Sequence, residues 1–169
     1  MSVLSREELR AALAARPPLV EDLDEAGQLQ PNGIDLRAER VERLTSRASL
    51  GAEVKEAAGR SALEPDSAGW WELASGAYVI GYRERVNLPN DVMALARPRS
   101  SLLRSGVTIH AAVWDAGYSG YGEGLLSVLA PQGYRLQRGA RVLQLVFFRL
   151  GEAVAEGYRG QYQHEGVAR

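Results

Sequence analysis

The chain has 169 residues, of which 46% are hydrophobic and 24% are charged, a composition typical of one globular domain rather than a disordered or collagen-like chain. Twenty Lys and Arg residues against 21 Asp and Glu residues give a formal net charge of −1, so we expect neither a nucleic-acid nor a membrane partner. With no Cys and two His, disulfides, thiolate zinc sites and His-rich metal cages are excluded. A charged N-terminal helix in place of a signal peptide predicts a cytoplasmic protein.

The first 18 residues predict one short helix. Ser5 and Glu8 have the spacing of a capping box, and Leu4 and Leu9 have that of a hydrophobic staple. We expect the helix to run to about Ala15 and to end before the prolines at positions 17 and 18.

From residue 30 onward the pattern is that of strands. Apolar residues alternate with Asp35 and Arg37, which predicts a half-buried strand with those two residues on its polar face. Residues 45–69 are polar and contain three Gly, so we expect a surface excursion. Short apolar runs follow at residues 70–73, 78–82, 92–96, 107–113, 125–129 and 142–148. This spacing predicts an all-β fold, a distorted β-barrel or jelly roll, in one domain spanning residues 1–169.

An arginine-rich segment follows one of the predicted strands. Arg97, Arg99 and Arg104 surround the adjacent serines Ser100 and Ser101, where a short helical turn is expected to begin. Guanidinium groups, hydroxyls and the free N–H groups of a helical turn all suit phosphate oxygens. From these residues alone, a solvated arginine cluster with a serine-capped turn remains the alternative.

A glycine-rich turn follows Asp115, which stands at the end of another predicted strand. A hairpin of this kind can bring main-chain N–H and C=O groups close to a flat base, and Asp115 can hold a water as general base. The alternative is an Asp that only initiates a turn, with Tyr118 and Tyr121 as packing residues.

Two further signals lie towards the C-terminus. Gln144 interrupts an apolar strand, and a buried amide there must find a hydrogen-bond partner in the fold or in a ligand. Residues 156–169 form an aromatic and polar tail that is suited to closing over a ligand.

Four motifs in a fixed order resemble the trimeric dUTPase and dCTP deaminase superfamily over about residues 30–163. They are Gly-Ile-Asp-Leu from Gly33, Arg-Ser-Ser-Leu from Arg99, Trp-Asp-Ala-Gly-Tyr-x-Gly from Trp114 and Arg-Val-x-Gln-Leu from Arg141. The N-terminal helix looks like that of the deaminase branch, and residues 112–118 look most like the deaminase-like dUTPases typical of archaea.

The resemblance implies roles for individual residues. Asp115 matches the carboxylate that orients the attacking water, and Tyr118 matches the aromatic residue that stacks on deoxyribose and excludes a 2′-hydroxyl. The other matching substrate-binding positions are Arg99, Ser100, Ser101, Arg104, Gln144, Tyr158 and Gln163, with Asp35 as a supporting carboxylate.

The resemblance also implies an activity, a cofactor and an assembly. We expect a dUTP diphosphatase that releases dUMP and pyrophosphate, in which Mg²⁺ is held mainly by phosphate oxygens and water rather than by protein ligands. We expect a homotrimer whose sites lie between subunits.

The alternative within the superfamily is deamination of dCTP, alone or coupled to the diphosphatase. Deaminases of this type carry a Glu ten residues after the Asp, where this chain has Leu125. Glu123 lies two residues earlier and reaches that place only if a bulge at Gly122 or Gly124 shifts the strand. Gln161 replaces the Lys of the deaminase tail motif. A non-catalytic deoxynucleotide-binding protein is a more distant alternative.

Overall fold

The computed structural model describes residues 2–167, so Met1 and the last two residues of the predicted tail lie outside the described residues. The helices are α1 (Arg6–Leu13), α2 (Glu25–Gln28) and α3 (Ser100–Leu103). The strands are β1 (Ser2–Val3), β2 (Leu29–Gln30), β3 (Gly33–Leu44), β4 (Ser49–Leu50), β5 (Lys55–Glu56), β6 (Arg60–Ala62), β7 (Trp70–Leu73), β8 (Gly76–Tyr82), β9 (Val86–Asn87), β10 (Val92–Pro98), β11 (Val107–His110), β12 (Ser119–Gly120), β13 (Glu123–Val128), β14 (Tyr134–Gln137) and β15 (Arg141–Arg149).

One curled, half-barrel sheet of nine strands dominates the fold. Its main path is β1-β15-β3-β8-β13-β11, with β10 added to β15 and both β2 and β6 added to β3. The predicted all-β barrel-like class is confirmed. Within residues 2–167, no helix is both long and apolar enough to cross a membrane.

The N-terminal helix begins as its sequence predicts. Ser5 Oγ accepts the N–H of Glu8 at 3.3 Å, and the Glu8 carboxylate accepts the N–H of Ser5 at 2.9 Å, which completes the capping box. Leu4 and Leu9 are both buried. The helix ends at Leu13, earlier than expected.

The prediction of a single helix was incomplete, because α2 depends on tertiary contacts rather than on local periodicity. Its last residue, Gln28, is buried and donates to the carboxylate of Glu84 at 2.8 Å. The fully buried Glu84 also accepts from the Arg37 guanidinium at 2.6 Å and from the Arg37 backbone N–H at 2.9 Å. These bonds satisfy a buried carboxylate and hold α2 against β3.

Three strand predictions need correction. Asp35 is buried rather than on an exposed polar face, because α2, Arg99 after β10 and Arg141 at the start of β15 cover that side of β3. The strand predicted over residues 107–113 ends at His110, and the chain then leaves β13 so that Trp114 can bridge to Ala94. The excursion at residues 45–69 stays largely at the surface but contains β4, β5 and β6.

The core lies inside the curled sheet, and β15 contributes its centre. Leu143, Leu145 and Phe147 alternate along β15 and are fully buried, as expected for one face of a strand. Because β15 pairs with β3 on one side and with β10 on the other, these side chains join the two parts of the sheet.

We expect Phe147→Ala to lower the free energy of unfolding by about 3–5 kcal/mol, because it removes a buried ring and leaves a cavity. Leu50→Ala is the matched control, since Leu50 is 83% exposed, and its effect should stay within about 0.5 kcal/mol. Urea denaturation measures both values. Equal effects of the two substitutions would contradict the assignment of the core.

Candidate active site

A cavity of about 520 Å³ opens between the end of β11, the start of β13 and the C-terminal tail. Asp115 and Tyr118 line it from the turn after β11, Glu123 lines it from β13, and Tyr158 and Glu165 line it from the tail. It therefore collects polar groups from three separate parts of the chain.

The turn that carries Asp115 has a defined geometry. The Asp115 carbonyl accepts the N–H of Tyr118 at 3.1 Å, and Gly117, in the third position, has φ +83°. A β-turn with positive φ at that position requires Gly or Asn. Before the turn, Trp114 exchanges two backbone hydrogen bonds with Ala94, of 2.9 and 3.0 Å. The strand pairing and the turn together expose Asp115 at the cavity, and no described residue hydrogen-bonds to its carboxylate.

Three aromatic rings lie side by side in a row that leads from the core to the tail. Tyr118 is buried, and its ring meets Trp114 edge-on at 5.3 Å and Tyr158 edge-on at 5.9 Å between ring centres. Burial raises the pKa of Tyr118, with smaller contributions from Glu165 and Tyr158, so the phenol stays neutral. Tyr118 thus forms a rigid, uncharged wall of the cavity.

The C-terminal tail is fixed to the Asp115 turn by backbone and amide hydrogen bonds. The Tyr158 N–H donates to the Ala116 carbonyl at 2.8 Å. The Gln163 side chain accepts the Ser119 N–H and donates to the Gly117 carbonyl, both at 2.9 Å. A Cβ at Gly117 would lie 2.9 Å from the Tyr158 nitrogen, so glycine also permits the close approach of the tail.

The strand that carries Glu123 shows no bulge that would shift this residue to position 125. In the pairing of β13 with β8, Glu123 lies opposite Gly81 and Leu125 lies opposite Val79, with no break in register. The Glu123 carboxylate accepts one hydrogen bond from Arg40 and another, of 2.6 Å, from Arg60. Neither oxygen can take up and return a proton without breaking an ion pair.

Arg40, Arg60 and Glu165 were not expected at the site from the sequence. Burial raises the pKa of Glu165, and the charges of Arg40 and Arg60 partly oppose that shift. No local motif marks these residues, because they meet only when β3, β6 and the tail converge.

The arginine-rich segment forms a second cluster, beside β15. α3 begins at Ser100, as predicted, and Arg99 directly before it forms an ion pair with the buried carboxylate of Asp35. Arg141 lies 3.6 Å from the same carboxylate. Burial, and secondarily the charge of Arg141, lower the pKa of Arg99. Since one carboxylate faces two guanidinium groups, the cluster keeps an excess of positive charge that suits an anion.

Several side chains of this cluster have no intramolecular partner. On β15, Gln144 lies opposite Asp35 of β3 on one side and opposite Arg97 of β10 on the other. Its apolar sequence context predicts a buried side chain, but Gln144 is half-buried. In the described part of the chain, no hydrogen bond or ion pair engages the side chains of Ser100, Ser101, Arg104 and Gln144.

Within the chain, the predicted site residues fall into two groups. Asp115, Tyr118 and Tyr158 line the cavity, and Gln163 lies at its turn. The phosphate-binding candidates do not line it. Over residues 2–167, no cluster of three or more His, Asp or Glu side chains is arranged to hold a metal ion.

Comparisons with known proteins agree with this architecture. A family model described as dCTP deaminase-like matches residues 3–150. The chain is 41% identical over 170 residues to a probable deoxyuridine 5′-triphosphate nucleotidohydrolase of Methanosarcina mazei, with 99% of both chains covered. It is 42% identical over 173 residues to a protein of the same name from Methanococcoides burtonii, covering 99% of this chain and 100% of that one.

Among solved structures, the 2′-deoxycytidine 5′-triphosphate deaminase of Agrobacterium tumefaciens matches with a TM-score of 0.64 and 23% identity. The match covers 88% of this chain but 49% of that deaminase, so the chain spans about half of its length. At this identity the likeness concerns the fold.

We expect Glu123→Gln to lower the free energy of unfolding by about 1–3 kcal/mol, because Arg40 and Arg60 lose a partly buried, charged partner. Glu72→Gln is the matched control, since Glu72 pairs with Arg135 at the surface and such pairs contribute about 0–1 kcal/mol. Urea denaturation of both variants measures the difference. A loss for Glu123→Gln no larger than that of the control would contradict a structural role.

Proposed function

The chain belongs to the dCTP deaminase-like family, and on that premise we propose that it is a dUTP diphosphatase, which hydrolyses dUTP to dUMP and pyrophosphate. The observation that carries the choice is the contrast between two carboxylates at one cavity. Asp115 is exposed there without a partner, whereas both oxygens of Glu123 are engaged by arginines. The base that hydrolysis needs is therefore available, whereas Glu123, the candidate proton carrier for deamination, is held by arginines.

In the proposed reaction, water attacks the α-phosphorus of dUTP. The Asp115 carboxylate orients that water and accepts its proton as the new P–O bond forms. The bond between the α-phosphorus and the oxygen bridging to the β-phosphorus breaks, and pyrophosphate leaves with the electron pair. Water is thereby consumed, and dUMP retains the α-phosphate.

The deoxyribose is assigned to Tyr118 and the base to the main chain around it. The neutral, buried ring of Tyr118 offers an apolar face for the sugar and leaves no room for a 2′-hydroxyl. Backbone groups of the turn and of the start of β13 can hydrogen-bond to a flat pyrimidine edge. Tyr158 and Gln163 close the tail, residues 156–169, over the bound nucleotide and exclude water other than the reacting one.

The residues at the cavity fit Mg²⁺ carried by the substrate better than a metal held by the protein. Mg²⁺ prefers oxygen ligands and keeps several of its waters, and the Asp115 carboxylate, which no described residue hydrogen-bonds, can hold such a water. When bound to the triphosphate, Mg²⁺ neutralises charge that develops on the phosphate oxygens.

A homotrimer completes the site in this proposal. A triphosphate requires several cations, yet within the described residues the arginine that lines the cavity, Arg60, is already paired with Glu123. The unpartnered phosphate-binding side chains lie in the second cluster. Closed rotational symmetry lets one subunit present Arg99, Ser100, Ser101, Arg104 and Gln144 to the cavity of the next.

Asp115→Asn is expected to lower the rate of dUMP formation from dUTP by at least about a hundredfold, the scale of general-base catalysis. Binding of a non-hydrolysable dUTP analogue should change only a few-fold, because Asn also favours this turn. Product chromatography with Mg²⁺ and with EDTA measures turnover, and calorimetry measures binding.

The same incubations with dCTP test the alternatives. Formation of dUTP or dUMP from dCTP would establish deamination and overturn the role given to Glu123. Tight dUTP binding without any product would identify a non-catalytic binder. Turnover by Asp115→Asn within a few-fold of the parent protein would contradict its role as the base.

Mixing two inactive variants tests whether the site is shared. If Asp115 and Arg99 act on one substrate from different subunits, co-expressed Asp115→Asn and Arg99→Ala chains should regain up to about a quarter of the parent activity. In a randomly assembled mixture, half of the cavities carry Asp115, and half of the subunits next to them carry Arg99. About a quarter of the sites therefore contain both residues. A site built within one chain would regain none. Native mass spectrometry of the same mixture counts the subunits.

A further inference from the structure

The β4–β5 hairpin, within the excursion at residues 45–69, adds little to the core. Leu50 is 83% exposed and Val54 is 71% exposed, so the β4–β5 hairpin buries little apolar surface. The hairpin pairs with itself, and β6 is the strand by which the excursion joins the main sheet. A segment of this kind needs an explanation other than packing.

Lys55 on β5 connects this hairpin to the C-terminal tail. Its ammonium group lies 3.0 Å from the side-chain carbonyl oxygen of Gln161 and 3.0 Å from the hydroxyl oxygen of Tyr162. The same nitrogen lies 5.1 Å from the centre of the Tyr162 ring. One cation thus holds two consecutive tail residues that are more than a hundred positions away in sequence.

The residues that Lys55 holds lie at the mouth of the cavity. Tyr162 lines the cavity. The side chain of Gln163, the next residue, is hydrogen-bonded to the backbone of Ser119 and Gly117, in and just after the Asp115 turn. The tail is therefore secured by its bonds to the turn, through Tyr158, Gln163 and His164, and by the excursion through Lys55. Removing the Lys55 contact leaves the Tyr162 side chain without its hydrogen bond and weakens the closed position of the tail.

The neutral side chain at position 161 is compatible with this contact. The amide oxygen of Gln161 accepts a hydrogen bond from an ammonium group, whereas a lysine at that position would bring two like charges together. Arg60, on the same excursion, pairs with Glu123 in the cavity wall. The excursion therefore contacts the cavity and its cover at the same time.

We propose that Lys55 is a positioning residue that clasps the C-terminal tail over the substrate cavity through Gln161 and Tyr162. It does not touch the reacting atoms; it raises the fraction of molecules whose tail is closed before substrate binds. Because the contacts are exposed to solvent, they are individually weak, and the tail can still open to release product.

The kinetic test rests on the proposed dUTP hydrolysis. Lys55→Met should raise the KM for dUTP about threefold, since apparent affinity scales with the fraction of closed molecules. The kcat should change less than about twofold, because the tail is closed in every productive complex. Lys55→Arg keeps the charge and should restore the KM. Arg47→Met removes a cation of the same excursion for which the structure gives no tail contact, and should match the parent protein.

A second test does not depend on activity. The Arg159 side chain is 77% exposed, but its neighbour Tyr158 is hydrogen-bonded to Ala116, so local opening of the tail speeds trypsin cleavage after Arg159. Without nucleotide, Lys55→Met should release the C-terminal peptide about threefold faster than the parent protein, because the open fraction rises as the closed fraction falls. Lys55→Arg and Arg47→Met should release the peptide at the rate of the parent protein. Mass spectrometry separates this peptide from those cut elsewhere.

The outcomes separate this proposal from the proposed function. If the parent protein hydrolyses dUTP, Lys55→Met must both raise the KM for dUTP and speed release of the C-terminal peptide. A raised KM without faster cleavage would mean that Lys55 contacts the substrate itself, and faster cleavage without a raised KM would mean that the clasp is irrelevant to catalysis. Either result overturns the proposal. If the parent protein does not hydrolyse dUTP, the proposed function fails, and the cleavage rates alone decide whether the clasp exists.

Discussion

The ion pair between Asp35 and Arg99 is the interaction on which the arginine-rich segment, the proposed phosphate-binding segment, depends. Asp35 is buried, and a buried carboxylate is costly unless a cation compensates it. The pair spans β15, because Asp35 lies on β3 and Arg99 follows β10. The start of α3, and with it Ser100, is thereby fixed to the centre of the sheet. A structural need of the fold thus sets the geometry of the proposed binding segment.

The same strand arrangement separates positive and negative groups. The cluster beside β15 has more guanidinium groups than carboxylates, whereas the cavity has three carboxylates and an arginine that is already paired. A nucleoside triphosphate needs both environments, since its phosphates require cations and the attacking water requires a base. In the proposed trimer, symmetry joins the two environments while each subunit keeps them apart.

The cavity wall is itself built from contacts that serve structure and chemistry together. Gly117 permits the turn that exposes Asp115, and its lack of a side chain also lets the tail approach. Tyr118 links the buried Trp114 to the tail residue Tyr158. A nucleotide in the cavity would therefore meet a wall that is held rigidly on the core side and by weaker, reversible contacts on the tail side.

The sequence by itself determined the features that depend on short stretches of chain. Residues only a few positions apart predict the capping box at Ser5, the helical start at Ser100 and most of the strands. The order of the four motifs also predicted the family. Tertiary structure alone decided that Asp35 is buried, that Glu123 is held by arginines and that Lys55 reaches the tail. These pairings join residues 64, 83 and 106 positions apart, and only the folded sheet brings such distant residues together.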